Sequence, residues 1–460
     1  MKFLWVSHGR TISPGRACSQ KTESDHLLSQ QGSNRIESSI ENSIYHLRDV
    51  PIVTPYSTVR QAFLTQVAED VAQGEAQRSV LNKKAFGSLT NEHITCRIEE
   101  ERRKGKHVMA DLKRWPDTDD GSLYSLPNHD VFGVLSSTRN VVEQSEHVRI
   151  NPEQVHKLSK QWIQAIQAGT QPIAPSIALW NNHYHFNDGT ERTVNWVLVL
   201  DTLNFCFWAE KDQPRWSIDY NGEILNGYWA EAAALKRAVE EGIPLWDAEH
   251  LSTTPYATVA NIFRGTPTSP LIPLFEQRVH NLHETGRVLL KRFRGQFATA
   301  IEQAQGSAVQ LALLLAQHFP SFQDVASYCN QQVRFFKRAQ ICVADLHSTF
   351  GGKQWGAFTD IDQLTIFADY KLPQVLRQYS IIEYSSSLAG KVDSQELLTA
   401  GSEEEIEIRA ATIWACELLR RSMLQLGYSM SAAEIDQRLW LLGQQLTEAR
   451  PYHRTRTIHY

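Results

Sequence analysis

Residues 356–370 read Gly-Ala-Phe-Thr-Asp-Ile-Asp-Gln-Leu-Thr-Ile-Phe-Ala-Asp-Tyr, an apolar stretch that contains three acidic residues. Asp360, Asp362 and Asp369 stand there among phenylalanine, leucine and isoleucine side chains. Burying a carboxylate costs free energy unless the group has a partner or a task. The stretch therefore indicates a closed pocket in which acidic groups hold a polar ligand against aromatic walls.

A second stretch of this kind is Val197-Leu-Val-Leu-Asp-Thr-Leu-Asn-Phe-Cys-Phe-Trp208. The spacing i, i+3, i+4 and i+7 predicts one helix face that carries Asp201, Asn204, Phe205 and Trp208. An acid, an amide and two aromatic rings can hydrogen-bond and stack a flat heterocycle. The same face also fits an ordinary core helix in which the acid caps a neighbouring helix or pairs with an arginine.

Hydrophobic periodicity predicts a mainly α-helical domain from residue 129 to residue 460. The predicted helices are 152–168, 192–209, 229–241, 271–293, 306–317, 331–350, 360–370, 405–426 and 431–447. One β-hairpin is predicted within 215–229, where Asn221-Gly222 is a typical turn. Residues 1–128 differ from the rest because they are rich in polar residues and turn formers. We therefore expect a domain boundary near residue 128.

The bulk composition favours a cytoplasmic protein that acts on a small molecule. The 460 residues carry a formal net charge of −5, which gives no broad attraction to nucleic acid or to an anionic membrane. No apolar run reaches the roughly 18 residues that a membrane-spanning helix needs. The six cysteines form no CxxC pair, so neither a zinc site nor a disulfide framework is expected. The oligomeric state stays open.

Several polar residues have both a structural and a functional interpretation. Asp360 fits the N-cap of a helix over 361–370, but a carboxylate fixed beside Phe358 can also stabilise or attack an oxocarbenium ion. Lys337 and Arg338 fit a solvated helix face or a phosphate site. His185 lies in a predicted loop, where a lone histidine is usually incidental. Dinucleotide, P-loop, zincin and α/β-hydrolase motifs are absent from the sequence.

The chain from about 129 to 460 resembles the queuosine salvage family, the queuosine 5′-phosphate N-glycosylase/hydrolase proteins. The resembling region covers about 70% of the chain, and its matching segments are 132–139, 197–208, 227–229, 242–244, 281–286, 337–340, 358–376, 405–409 and 452–456. The resemblance implies a helical fold akin to DNA glycosylases of the helix-hairpin-helix class. It also implies release of the 7-deazaguanine base queuine from queuosine 5′-phosphate without a metal or another cofactor, as a salvage step toward tRNA modification.

The resemblance also implies roles for individual residues. The family's catalytic aspartate lies in a Phe-x-Asp motif, which we match to Phe358-Thr-Asp360, with the phenylalanine at the base. The family's base-binding histidine matches His185. A further motif, Asp-Tyr followed four residues later by Asp, matches Asp436 but has Gln437 and Leu441 at its other two positions. Asp201, Asn204 and Lys337 complete the predicted substrate site, with Lys337 at the phosphate.

Residues 1–128 have a weaker resemblance to the histidine phosphatase family. The similar segments are 4–11, 25–32, 55–61 and 85–87, and His8 matches the histidine that accepts phosphate. Ser7 and Thr58 replace the two arginines that this family uses to bind phosphate. We therefore interpret residues 1–128 as a truncated α/β phosphatase-like segment without activity. Two alternatives stay open: a protein that binds queuosine-like nucleotides or RNA without hydrolysis, and a phosphatase that acts through His8.

Overall fold

The computed structural model describes residues 124–126, 130–168, 182–446 and 448–460. The phosphatase-like segment predicted over 1–128, with His8, lies outside the described residues except for residues 124–126. Its fold, its activity and the boundary at residue 128 therefore stay predictions.

The described part of the chain is mainly α-helical, as predicted. Its helices, in chain order, are α1 (Val134–Gln144), α2 (Pro152–Gln167), α3 (Glu191–Leu203), α4 (Gly227–Glu240), α5 (Ala248–Thr253), α6 (Tyr256–Ile262), α7 (Phe275–Arg292), α8 (Phe297–Gln303), α9 (Ala308–His318), α10 (Lys337–Thr349), α11 (Lys371–Gln378), α12 (Ser386–Asp393), α13 (Glu403–Gln425) and α14 (Ala432–Gln445).

Six short strands form antiparallel pairs between the helices. They are β1 (Val148–Ile150), β2 (Ser217–Tyr220), β3 (Glu223–Asn226), β4 (Val325–Tyr328), β5 (Gln331–Arg334) and β6 (Ile382–Tyr384). β1 pairs with β6, β2 with β3 and β4 with β5. The predicted hairpin is confirmed, since β2 and β3 flank Asn221 and Gly222, which both have a positive φ angle. The second hairpin was not predicted.

Two helices lie in the interior and organise the core. Every residue of α3 from Thr193 to Leu203 is buried, and so is every residue of α13 from Glu405 to Leu419. A helix that is apolar on all sides is covered on all sides by other elements. α3 packs against α4, α7, α8 and α10, whereas α13 packs against α1, α2, α11 and α14. The cavity described below lies between elements of these two groups.

The prediction of a helix over 360–370 was wrong. The segment has a 3₁₀ turn at Ile361–Gln363 and continues without helix to Tyr370. Leu364 to Ala368 are buried consecutively, and none of them is helical. Side chains replace the helical hydrogen bonds here: the Gln340 amide oxygen accepts from Thr365 N at 2.8 Å, and Asp436 accepts from Phe367 N at 2.7 Å.

Two other predicted helices are shorter than expected. The helix predicted over 192–209 ends at Leu203, so Asn204, Phe205 and Trp208 leave the predicted helix face. The helix predicted over 331–350 begins only at Lys337, because 331–334 forms β5.

Candidate active site

A cavity of about 790 Å³ opens between the first turn of α4, one face of α10, one face of α14 and the segment that follows α3. This volume lies within the range of roughly 300–1,000 Å³ that is usual for small-molecule sites. Many of its lining residues are aromatic. The charged residues of the lining include Arg215, Lys337, Asp345, Asp369, Lys371 and Asp436.

Asp369 lines the cavity just before α11, and the first residues of that helix hold its side chain. One carboxylate oxygen, Oδ1, accepts hydrogen bonds from Lys371 N at 2.8 Å and from Leu372 N at 2.9 Å. The other oxygen, Oδ2, has no hydrogen-bond donor among the described residues. The carboxylate is therefore fixed through one oxygen while the other stays available to a ligand in the cavity. Phe367, two residues earlier, also lines the cavity, so Phe367-Ala-Asp369 forms a second Phe-x-Asp motif.

Asp360 has a different environment. Its Oδ2 accepts from Ser307 Oγ at 2.5 Å and its Oδ1 accepts from Ala308 N at 2.5 Å. Both oxygens are thus engaged at the N-terminus of α9, where a negative charge stabilises a helix. Neither Asp360 nor Phe358 is among the residues that line the cavity. The geometry therefore supports the capping interpretation of Asp360, with α9 as the capped helix.

The capping role of Asp360 predicts a moderate loss of stability in Asp360→Ala. Removing a carboxylate that caps a helix typically costs about 1 kcal/mol. We expect a loss of this size in the free energy of unfolding, measured by denaturant titration, with little change in catalytic rate. An Asp360→Ala variant as stable as the wild type would show that these two hydrogen bonds contribute nothing.

One face of α10 contributes both a cation and an acid to the cavity. Lys337, Ile341, Ala344 and Asp345 line it at helical spacing. The Lys337 ammonium is buried and donates to the Asn204 carbonyl at 3.4 Å. Burial lowers the pKa of Lys337, whereas the nearby carboxylates of Asp369 and Asp201 raise it. Several acidic side chains therefore lie close enough to Lys337 to act on its charge.

The carboxyl groups around Lys337 hold their protons more tightly than exposed acids do. Burial raises the pKa of Asp369, and the positive charge of Lys337 only partly offsets this effect. Burial also raises the pKa of Asp436, helped by the negative charge of Asp369. Burial raises the pKa of Asp345 to about 7. Carboxyl groups with raised pKa values in a cavity are typical of sites for acid–base and charge-stabilising chemistry.

Two buried arginines hold the segment that follows α3. Arg278 donates to the carbonyls of Leu203 and Phe205, and Arg338 donates to the carbonyls of Asp201 and Thr202. Three of these carbonyls, those of Asp201, Thr202 and Leu203, belong to the last turn of α3, where they have no partner within the helix itself. The arginines therefore fix the turn that brings Asn204, Phe205 and Trp208 to the cavity wall.

The aromatic ring of Phe205 is packed against both guanidinium groups. The Arg278 Cζ atom lies 4.2 Å and the Arg338 Cζ atom 5.2 Å from the ring centroid. A ring covered in this way has less surface left for stacking with a ligand. Phe205 thus shapes the cavity, and other rings have to stack with any bound base.

Asp201 and His185 lie behind the cavity wall. Asp201 is fully buried, and its Oδ1 accepts from the Asn204 amide at 3.4 Å. Burial raises the pKa of Asp201 well above its ordinary value, and the charge of Asp345 raises it further. His185 is also buried, and its Nε2 atom lies 2.9 Å from the hydroxyl oxygen of Tyr228, which lines the cavity. Neither residue is among the lining residues, so each acts on a ligand only through a neighbour.

Asp436 lies at the cavity, as predicted for a substrate-binding residue, but its role in binding is untested. It is a residue of α14, and its Oδ2 accepts from the backbone of Phe367, so it also supports the Phe367-Ala-Asp369 segment. Gln437 lines the cavity too, whereas Leu441 does not.

The C-terminal residues complete the wall. Cys206 N donates to the Tyr460 carbonyl at 3.0 Å, and the Tyr460 hydroxyl donates to Glu405 at 2.8 Å. Tyr460 and Tyr452 line the cavity. The Tyr452 ring lies 5.0 Å from the Tyr370 ring and 5.7 Å from the Lys371 ammonium.

Comparison with known proteins identifies the family of this chain. A family model described as "Queuosine salvage protein" matches residues 183–460. A Sphaerobacter thermophilus protein named queuosine 5′-phosphate N-glycosylase/hydrolase is 47% identical over 332 residues, which cover 72% of this chain and 98% of that relative. This chain belongs to the queuosine salvage protein family.

Relatives of this family in animals carry the same name. The mouse protein is 35% identical over 336 residues, covering 70% of this chain and 97% of its own length. The Nematostella vectensis protein is 36% identical over 339 residues, covering 70% of this chain and 96% of its own. The family match includes every cavity residue named above, and the resemblance to the queuosine salvage family inferred from the sequence is confirmed.

The sequence analysis named Asp369 only as one of the acids of the 356–370 stretch and gave no role to Asp345, Arg215 or Lys371, although all four line the cavity. A second Phe-x-Asp motif at 367–369 was the available signal for Asp369. No comparable signal marked Arg215. In the described residues, no cluster of three or more histidine, cysteine or acidic side chains could hold a metal ion. No described helix has the length and the apolar character needed to cross a membrane.

Proposed function

We propose that this protein hydrolyses the N-glycosidic bond of queuosine 5′-phosphate and releases queuine and ribose 5-phosphate, which supplies queuine for tRNA modification. The observation that carries the proposal is the Asp369 carboxylate, fixed through one oxygen at the wall of a cavity of suitable size. The names and the high coverage of the relatives support the choice of substrate. A cytoplasmic location stays a prediction.

We assign the catalytic carboxylate to Asp369 rather than to Asp360. As the bond between C1′ and the base nitrogen breaks, its electron pair moves to the base and positive charge develops on the ribose. A carboxylate beneath C1′ stabilises this charge, or attacks C1′ to form a covalent intermediate. Water then adds its oxygen to C1′, and its proton neutralises the departed base.

The base has to leave without help from protonation at position 7, because a 7-deazaguanine has carbon there. Hydrogen bonds to its other edges have to stabilise the leaving anion. Asp345 is suited to this role, since a carboxyl group with a pKa of about 7 is partly protonated at neutral pH and can donate a hydrogen bond. Lys337 supplies a second donor at the same wall.

We place the 5′-phosphate near Arg215 and Lys371. Both side chains line the cavity, and the Arg215 guanidinium has no hydrogen bond or ion pair with another described residue. Burial lowers the pKa of Lys371, and the positive charge of Arg215 lowers it further. An anion between the two cations would relieve their repulsion. Lys337, surrounded by acids, is the less suitable phosphate ligand.

The raised pKa of Asp369 predicts an activity that is lost in acid. The reaction needs the ionised carboxylate, so kcat should fall as the pH decreases through a pKa above the ordinary aspartate value of 3.8. Queuine release measured across pH tests this. The substrate phosphate titrates at about pH 6, so the nucleoside queuosine serves as the control substrate. An activity that stays constant down to pH 3.8, with the protein folded, would contradict the assignment.

A further inference from the structure

Three aromatic side chains meet at one corner of the cavity and form what we call the aromatic corner: Tyr228, Trp229 and Trp440. The ring centroids are 5.4 Å apart for Tyr228 and Trp229, 5.9 Å for Trp229 and Trp440, and 6.1 Å for Tyr228 and Trp440. The interplanar angles of 63°, 67° and 83° make all three contacts edge-to-face. Rings at such angles can turn more than one π-face toward the same space.

The side chains of His185 and Tyr184 contact the aromatic corner. His185 Nε2 lies 2.9 Å from the Tyr228 hydroxyl oxygen, and the His185 ring also packs against the Trp229 ring at 6.0 Å. The Tyr184 ring lies 5.4 Å from Trp229 on the same side. The orientation of Tyr228 and Trp229 is thus fixed before a ligand binds.

The aromatic corner differs from nearby aromatic side chains in its cation–π contacts. A guanidinium lies over the ring of Phe205 and of Trp208. Among the described residues, no lysine or arginine lies over the rings of the aromatic corner. Their π-faces, which attract positive charge, therefore remain available.

Two acidic side chains line the same cavity as the aromatic corner. Asp436 precedes Trp440 by four residues on α14, a spacing that places both side chains on one helix face, and both line the cavity. Asp345 also lines the cavity, and its negative charge adds to burial in raising the pKa of Tyr228. Aromatic faces together with carboxyl groups, half-buried from water, are the environment that an alkylated ammonium group prefers.

We propose that the aromatic corner binds the protonated secondary amine of the queuosine side chain through cation–π contacts, and so selects cationic 7-deazaguanine nucleotides. The inference rests on the proposed function, because that function supplies the substrate. The amine joins the 7-deazaguanine ring to the cyclopentenediol and is positively charged at neutral pH. Its alkyl substituents match the apolar character of the three rings.

The test uses two ligands of similar size that differ in charge: 7-aminomethyl-7-deazaguanosine 5′-phosphate, which is a cation at the side chain, and its neutral 7-cyano counterpart. Both are measured as competitive inhibitors of queuosine 5′-phosphate hydrolysis. Trp440→Leu removes the π-face and keeps an apolar side chain, whereas Trp440→Phe keeps a π-face. For Trp440→Leu we expect the aminomethyl nucleotide to bind about 5- to 30-fold more weakly, the range expected for a desolvated cation–π contact.

The neutral nucleotide should bind equally well to the wild type and to both variants, and Trp440→Phe should restore most of the affinity for the cation. Equal losses for both nucleotides in Trp440→Leu would overturn the proposal and indicate that the aromatic corner stacks with the base instead. Because the assay follows hydrolysis, a wild type that does not turn over queuosine 5′-phosphate would refute the proposed function itself. The unchanged affinity for the neutral nucleotide verifies that the variants are folded.

Discussion

Asp369→Asn is expected to lower kcat for queuine release by about 10³-fold or more, with a much smaller change in KM. The substitution keeps the size of the side chain and one oxygen that can accept from Lys371 N and Leu372 N. It removes the negative charge that stabilises the ribose cation, an interaction formed mainly in the transition state. Losses of this size are typical when a group that stabilises charge in the transition state is removed. Steady-state kinetics with queuosine 5′-phosphate measure the effect.

Asp360→Asn is the matched control, because it is the same change in the other Phe-x-Asp motif. Asp360 is engaged with Ser307 and Ala308 at the N-terminus of α9 and does not line the cavity. We expect kcat within a few-fold of the wild type, consistent with a small stability effect at a helix cap. The reverse result, an inactive Asp360→Asn and an active Asp369→Asn, would reassign catalysis to Asp360.

Arg278→Met is expected to lower the free energy of unfolding by about 3–5 kcal/mol. The Arg278 guanidinium is fully buried and lies 3.2 Å from the buried Glu231 carboxylate. It also donates to the carbonyls of Pro273, Leu203 and Phe205. Methionine fills similar space but leaves these carbonyls and the Glu231 carboxyl group without their donor, and buried polar groups that lose their partner are strongly destabilising. Urea titration followed by circular dichroism measures the loss.

Arg264→Met provides the comparison at the surface. Arg264 pairs with Glu241, but both side chains are 39% exposed. Exposed ion pairs contribute little because water and salt screen them, so a change below about 1 kcal/mol is expected. Similar losses in the two variants would show that burial of Arg278 adds nothing. A fully stable Arg278→Met variant would also remove the support proposed for the segment around Phe205.

Local signals in the sequence were sufficient for many elements of the fold. The helix predicted over 152–168 is confirmed as α2, and the Asn151 side chain accepts from Gln154 N at 3.2 Å at its start. The turn at Asn221 and Gly222 is likewise confirmed. In both cases the atoms that determine the conformation lie within a few residues of each other. Such contacts can be recognised from the order of residues alone.

Contacts between distant residues explain what the sequence did not reveal. The helix face predicted for Asp201, Asn204, Phe205 and Trp208 is broken because Arg278 and Arg338 bind the last carbonyls of α3. Arg278 lies 75 positions after Leu203, and Arg338 lies 137 positions after Asp201. Periodicity describes one helix at a time and does not show where distant guanidinium groups end it.

The assignment of the catalytic acid had the same limitation. Phe358-Thr-Asp360 and Phe367-Ala-Asp369 are equivalent as short motifs. They differ in their partners: the donors to Asp360 come from the start of α9, whereas the segment that carries Asp369 is held by Asp436. Only the folded arrangement shows that Asp369 reaches the cavity.

The most direct test of the account is to incubate the purified protein with queuosine 5′-phosphate and to identify every product by mass spectrometry. We predict free queuine and ribose 5-phosphate in equal amounts, formed by the wild type and by Asp360→Asn but not by Asp369→Asn. Recovery of unchanged queuosine 5′-phosphate would contradict the account in favour of a protein that only binds the nucleotide. Release of inorganic phosphate with intact queuosine would contradict it in favour of a phosphatase that acts through His8.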